Sequence, residues 1–336
     1  MQGESPNRQV GVLSLLPTDA EQRAPQQSPN RQVGVLSLLP TEPSSPTLPE
    51  PASRSYLSAV LLEPITELHW AYQLHYYICF RTRWRRNTFD QPTRAASLAR
   101  SLTEVCSNHD YHLLQHKVYP DHLRCLLSPK PDQTISTVIN KLKSNISRGL
   151  CSEFGIQAPL WATGYLARSV GHVRIQEVKH YLAHQADHHG YSRRVNPPVF
   201  RYRSGNPAAL GAAHAAFDLR YHLVLATRYR RGVFGSSLGR ALVDYWLKVA
   251  HKKGFALDEA TVLPDHVHLL VRVAPKMSIE ECALSLMNNS EHWMGKNSPG
   301  AGDKVWQRSA YAGTRGKVTT AMVKAFLARV EGWNGL

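Results

Sequence analysis

Two histidines one residue apart, His266 and His268, stand in the otherwise apolar run His266-Val-His-Leu-Leu-Val271. Strand side chains alternate between faces, so in an extended run both imidazoles project to one side while Val267 and Leu269 turn to the core. Two imidazoles on one face can share a metal ion. The same spacing also serves as packing or surface decoration, so the pair needs its context.

The elements that would position it are legible. Runs rich in β-branched and aromatic residues at Tyr76–Phe80, Tyr221–Ala226 and Val267–Val273 predict strands, and segments such as Leu238–Lys252 carry helical periodicity. That order predicts an α+β fold with mainly antiparallel sheets.

Compared with itself at a separation of about 145 residues, the body of the chain is written twice. Leu74–Phe89 lies over Leu219–Phe234, Pro120–Leu127 over Pro264–Val271, Trp161 over Trp306 and Gly171 over Gly316. The expected organisation is a first domain over 56–191, a linker of Arg, Pro, Gly, Asn and Ala over 192–213, and a second domain over 214–336. Residues 1–55, rich in Pro, Ser, Gln and Glu, are expected to be disordered. Within them Ser5–Thr18 recurs letter for letter as Ser28–Thr41.

Lys and Arg outnumber Asp and Glu by 40 to 25, a formal charge of +15 that favours an anionic partner such as nucleic acid or acidic lipid. No apolar run reaches the roughly 18 residues of a membrane helix. A cytoplasmic, nucleoid-associated protein without a membrane partner is expected. The five cysteines lack Cys-x-x-Cys spacing and read as reduced, buried thiols rather than disulfides or a zinc site.

Pro264-Asp-His-Val-His-Leu-Leu-Val271, following the basic aromatic strand Tyr221 to Arg231, resembles the HUH signature of single-tyrosine transposases from small bacterial insertion sequences and their REP-associated kin. The resemblance spans nearly everything after residue 65. It implies two tandem ferredoxin-like (RRM-like) domains, each a mainly antiparallel sheet with helices on one face. Such proteins carry their nucleophile in a pattern like Val-x-x-Tyr-Leu-x-x-Gln, met here as Val178–Gln185. This implies Tyr181 as nucleophile and Gln185 as third metal ligand beside His266 and His268, with Tyr181 and Gln185 on one helix face. His180, His184, His188 and His189 nearby read as a surface cluster.

The halves have diverged in complementary ways. The first keeps Tyr181 and Gln185 but has His122-Leu-Arg124, and a guanidinium offers a cation no lone pair. The second keeps both histidines but has Phe326 and Val330 in the register of Tyr181 and Gln185. Relatives build each site from the histidines of one subunit and the tyrosine helix of the other. One composite site of His266, His268, Gln185 and Tyr181 is therefore expected within one monomeric pseudo-dimer, with His122, Arg124, Phe326 and Val330 as its degenerate mirror.

The chemistry so implied is nicking and rejoining of single-stranded DNA through a 5′-phosphotyrosine. An amide ligand and a phosphate substrate suit Mg²⁺ or Mn²⁺ better than zinc. DNA recognition, of hairpins by resemblance, is expected at Arg81, Arg83, Trp84, Arg85 and Arg86 and at Arg228, Tyr229, Arg230 and Arg231. The alternatives are a non-catalytic hairpin-binding protein and a replication or mobilisation initiator.

Overall fold

A computed structural model of the 336-residue chain describes residues 63–171, 197–297 and 304–329. In the first half, β1 (His69–Gln73), β2 (Tyr76–Arg81), α1 (Pro92–Asn108), β3 (His112–Tyr119), β4 (His122–Ser128), α2 (Ile135–Phe154) and β5 (Tyr165–Ser169) follow in order. Then come β6 (Phe200–Arg203), β7 (Ala215–Asp218), β8 (Arg220–Thr227), α3 (Ser236–Lys253), β9 (Ala256–Leu263), β10 (His266–Arg272), α4 (Ile279–Asn297), β11 (Trp306–Arg315) and α5 (Thr320–Arg329). The fold is α+β, with two sheets ordered β3-β4-β2-β5-β7 and β1-β11-β8-β10-β9-β6.

Helical spacing explains how each sheet is covered. In α2, Ile135, Val138, Ile139, Leu142, Ile146 and Leu150 recur at three- and four-residue steps and are buried. The helix starts at Thr134, whose hydroxyl accepts from the Thr137 amide at 3.1 Å, and stops at Gly155. The matching face of α4 carries Cys282, Ala283, Leu286, Met287 and Met294. The helix-facing cores of both halves join in one cluster, where the hydroxyls of Tyr76 and Tyr221 meet at 3.0 Å.

The halves exchange their edge strands. β1 pairs in parallel with β11 of the second half, Trp70 opposite Ala310, while β7 pairs in parallel with β5 of the first, Tyr165 opposite Ala215. The two pairings have the same register under the sequence repeat. Around the pseudo-two-fold axis the contacts come in twins. The Ser169 hydroxyl accepts from the Arg220 amide at 2.9 Å, and the Thr314 hydroxyl accepts from the His75 amide at 3.0 Å. Gly171 and Gly316 exchange backbone hydrogen bonds of 3.2 Å in both directions.

One element lies where sequence patterning did not put it, and another crosses between the halves. Phe200–Arg203, inside the expected linker, forms β6 and pairs antiparallel with β9, half-burying Phe200 and Tyr202 and exposing the two arginines. Helix α5 leaves the second half and packs on the far face of the first sheet, where Val323 and Phe326 are buried against Tyr77, Cys79, Ala162 and Leu166. Cys79, Cys106, Cys125 and Cys282 are buried, Cys151 is half-buried, and all five are free thiols, as expected.

Candidate active site

On β10, His266 and His268 share a face with Ala226, Val224 and His222 of the neighbouring β8, because cross-strand partners in register point the same way. The two imidazole rings lie 5.0 Å apart at 72°. Each has its Nδ1 taken: His266 Nδ1 stands 2.7 Å from an Asp265 carboxylate oxygen, and His268 Nδ1 stands 3.0 Å from His222 Nε2. Among the described residues both Nε2 atoms are left as the ring positions able to take a cation, the arrangement in which an outer partner fixes the tautomer of a ligating histidine.

Burial works to raise the Asp265 carboxyl, but the hydrogen bond to His266 and the charge of Arg230 hold it below the usual value. Arg230 donates to Asp265 at 2.9 Å and 2.7 Å. Desolvation by burial pushes His268 down to about 3 and His222 down to about 4. Both rings are therefore neutral near pH 7, the state that metal ligation requires.

The folded state keeps His222 and His268 neutral, whereas in the unfolded chain each takes a proton below about 6.5. Their stabilisation is fully present above about pH 6.5 and drains away as pH falls toward 4 and then 3. Urea midpoints should drop between pH 6.5 and 4.5, and His222→Gln should flatten that slope. An equal slope in the variant would remove this pair as its source.

The same face of the first half is wired differently. His122 Nδ1 keeps its aspartate, Asp121 Oδ1 at 2.7 Å, but Arg124 Nε donates to His122 Nε2 at 3.0 Å. The lone pair that would meet a cation is thus spent on a guanidinium. Tyr119 stacks on His122 at 4.2 Å and 8°, and the Arg124 guanidinium lies 4.3 Å from its ring centroid. Phe326 is 2% exposed on this face and cannot act on phosphorus. The mirror residues His122, Arg124 and Phe326 do gather on one sheet face, and that face receives its helix from the other half.

Arg81 does not fit its expected role in DNA contact. It is 1% exposed, pairs with Asp121 at 2.9 Å and donates to the Leu327 carbonyl of α5. Burial among these acceptors withdraws it from solvent phosphates and makes it a clamp on α5. Its repeat partner is Ala226, which stands opposite His266 as Arg81 stands opposite His122. Arg230 is likewise largely committed to Asp265, its side chain 13% exposed.

The remaining basic aromatic residues form twin turns after β2 and β8. Thr82 and Thr227 each donate 2.7 Å bonds across the turn, to the carbonyls of Arg86 and Arg231. Trp84, Arg85, Tyr229 and Arg230 all have φ between 52° and 57°, left-handed positions that cost a non-glycine residue about 1 kcal/mol or more. The strain lifts Trp84 and Tyr229 outward, 52% and 42% exposed. The guanidinium carbons of Arg83 and Arg86 lie 4.1 and 4.5 Å from the Trp84 ring, and that of Arg228 lies 4.8 Å from Tyr229. Arg231 reaches the Lys304 carbonyl at 3.3 Å.

This twin arrangement coincides with the result of comparison against known proteins. The model of the IS200-like transposases matches residues 70–185 and again 215–329. The chain belongs to the IS200-like transposase family. The transposase of insertion sequence IS200 from Salmonella typhimurium is 29% identical over 120 residues, 34% of this chain and 78% of that protein. The ISDra2 transposase TnpA of Deinococcus radiodurans is 30% identical over 90 residues, 27% of this chain and 64% of its own length. A solved REP-associated tyrosine transposase bound to a REP hairpin aligns at 14% identity over 32% of this chain and 61% of that one, with a TM-score of 0.25.

As an IS200-like transposase carrying the family unit twice, the chain is expected to process DNA. Tyr181, Gln185 and Val330 lie outside the described residues. Among the described residues no group of three His, Cys, Asp or Glu side chains is arranged to hold a metal, and no helix is long and apolar enough to cross a membrane. Sequence reasoning missed His222, which looks like one more alternating strand residue. The signal was its place two residues before Val224, on the face shared with His268.

Proposed function

We propose that this transposase nicks and rejoins single-stranded DNA at one composite site, with His266, His268 and Gln185 holding a divalent cation and Tyr181 as the nucleophile. The supporting observation is that α5, the second half's counterpart of the Tyr181 segment, packs on the first half's histidine face. By analogy with that crossing we assign Tyr181 and Gln185 to the site of His266 and His268.

The donor set suits such a cation, since both histidines offer Nε2 while Asp265 and His222 hold their Nδ1 atoms. In the first half Arg124 takes that place, so only one site is assigned a metal. A bound Mg²⁺ or Mn²⁺ would draw charge from a non-bridging phosphate oxygen. The Tyr181 oxygen attacks phosphorus, a new phosphotyrosine bond forms as the bond to the 3′ oxygen breaks, and that oxygen leaves as a 3′-OH. Attack by a 3′-OH reverses the sequence and returns the tyrosine. One nucleophile cuts one strand per event.

The test uses full-length protein, a labelled single-stranded library containing hairpins, and Mn²⁺ or Mg²⁺, read on denaturing gels with peptide mapping. An adduct on Tyr181 that disappears with EDTA and in His266→Ala supports the assignment. Tight binding without any adduct would sink it in favour of a non-catalytic hairpin-binding protein, the reading that the Arg124 and Phe326 replacements favour.

For DNA contact we assign Trp84 and Tyr229 as base-stacking platforms flanked by Arg83, Arg86, Arg228 and Arg231. Trp84→Ala should weaken single-stranded DNA binding by about 1–3 kcal/mol, the usual worth of an aromatic stack. Arg81→Ala should instead lower the melting temperature, because it removes a partner of half-buried Asp121 and of the α5 carbonyl. Fluorescence anisotropy and thermal melts on both variants separate these outcomes, and the reverse pattern would refute the division of roles.

A further inference from the structure

His222 is the polar group of this face that the proposed mechanism leaves idle. It is half-buried on β8, its Nε2 lies 3.0 Å from His268 Nδ1, and the two rings stack at 5.2 Å and 19°. Tyr311 of β11 closes its other side edge-on at 6.3 Å. A proton sits between the two nitrogens, and its side decides what His268 can do. If His222 donates it, His268 is the Nε2–H tautomer and has no lone pair for a cation. If His268 donates it, the Nε2 lone pair is free.

We propose that His222 is a positioning residue of the metal site, accepting the Nδ1–H of His268 so that His268 presents its Nε2 lone pair to the cation. The inference rests on the assignment of His266 and His268 as metal ligands. It makes the pair symmetric in function: Asp265 fixes the tautomer of His266 and His222 fixes that of His268, one by a carboxylate and the other by a neutral imidazole.

The first half supplies an internal control. Under the repeat, His222 corresponds to Tyr77 and His268 to Arg124. Tyr77 is 3% exposed and packs with Cys79 and Phe326, while Arg124 donates to His122. Where the second histidine is replaced by Arg124, no imidazole stands at the place of His222. The aspartate, which serves the histidine present in both halves, stays in both as Asp121 and Asp265. The imidazole that would orient a second histidine is thus present in the half that has that histidine, and in the other half its place is taken by a tyrosine packed against Phe326.

Orientation by Asp265 alone would leave one ligand free to take either tautomer, and in solution imidazole prefers the Nε2–H form that cannot ligate through Nε2.

The test is run on the full-length chain with ¹⁵N-labelled histidine, reading the His268 tautomer by long-range ¹H–¹⁵N NMR without metal, and Mn²⁺ affinity separately by titration. In the parent protein His268 should be the Nδ1–H tautomer. In His222→Phe it should revert toward Nε2–H, and Mn²⁺ affinity should fall about 10- to 100-fold, the usual cost of losing an outer-sphere partner. His222→Gln, which keeps an acceptor oxygen and a polar shape, should retain the tautomer and most of the affinity, even if the Phe variant folds poorly. An Nδ1–H tautomer surviving in His222→Phe, or Mn²⁺ affinity unchanged in a folded His222→Phe, would overturn the inference. If the tautomer and affinity behave as stated but no DNA adduct forms in the parent, the nuclease reading fails and the role of His222 stands.

Discussion

Phenylalanine in place of Tyr181 should abolish the covalent protein–DNA adduct, with strand cleavage down by at least about 10³-fold. The substitution removes one oxygen, the atom assigned to attack phosphorus, and leaves the cation ligands alone. Mn²⁺ affinity and DNA binding should therefore match those of the parent chain. His268→Ala should give the opposite pattern for metal, losing Mn²⁺ affinity and cleavage together while DNA remains bound through the basic turns. The chain already holds this comparison, since Phe326 stands in the matching register and is packed into a core cluster. Adduct formation on a radiolabelled single-stranded substrate, resolved by denaturing gel, gives the readout. Adducts persisting in Tyr181→Phe would place the nucleophile elsewhere.

Alanine at Gly316 should cost substantial stability. Its φ of 144° is a conformation that side chains rarely adopt, and a Cβ there would stand 2.4 Å from the Ser169 carbonyl oxygen. Gly171 is the twin, with φ of 145° and a Cβ 2.7 Å from the Thr314 carbonyl oxygen. Both contacts are to backbone at the junction of the two sheets, so neither side can swing away. A loss of about 3 kcal/mol or more is expected, a fall in melting temperature of roughly 6–12 °C for a chain of this size. Gly205→Ala, where nothing lies within 4 Å of the added carbon, is the control and should change little. Equal melting temperatures for Gly316→Ala and Gly205→Ala would mean that the junction relaxes freely.

The strand bearing His266 and His268 and the twofold writing of the chain could be read directly, because alternation and repetition are local signals. The α+β class followed from the same signals. Burial of Arg81 could not be read, since its neighbours Arg83, Arg85 and Arg86 are basic and its partners, Asp121 and the Leu327 carbonyl, are supplied by distant segments. The exchange of β1 and β7 was equally hidden. Parallel pairing of short edge strands depends on where the other half lies, and their few residues carry no register of their own. In β6 the alternation Phe-Arg-Tyr-Arg is visible, but a run of four beside Pro197, Pro198 and Gly205 reads as a break. His222 escaped notice because its meaning lies across the sheet, in the ring that it faces.

The exchanged strands have a consequence beyond architecture. In a symmetric dimer every substitution appears on both sides of the axis, so the surface must remain complementary to itself. Here Arg81 faces α5 while Ala226, at the matching place, is free to differ, and Arg124 could arise without touching His268. Covalent continuity has broken the duplication rule that binds a dimer. It also takes assembly out of mass action: the two halves meet at the same effective concentration however scarce the protein is, and dilution that would separate a dimer's subunits leaves this pairing intact.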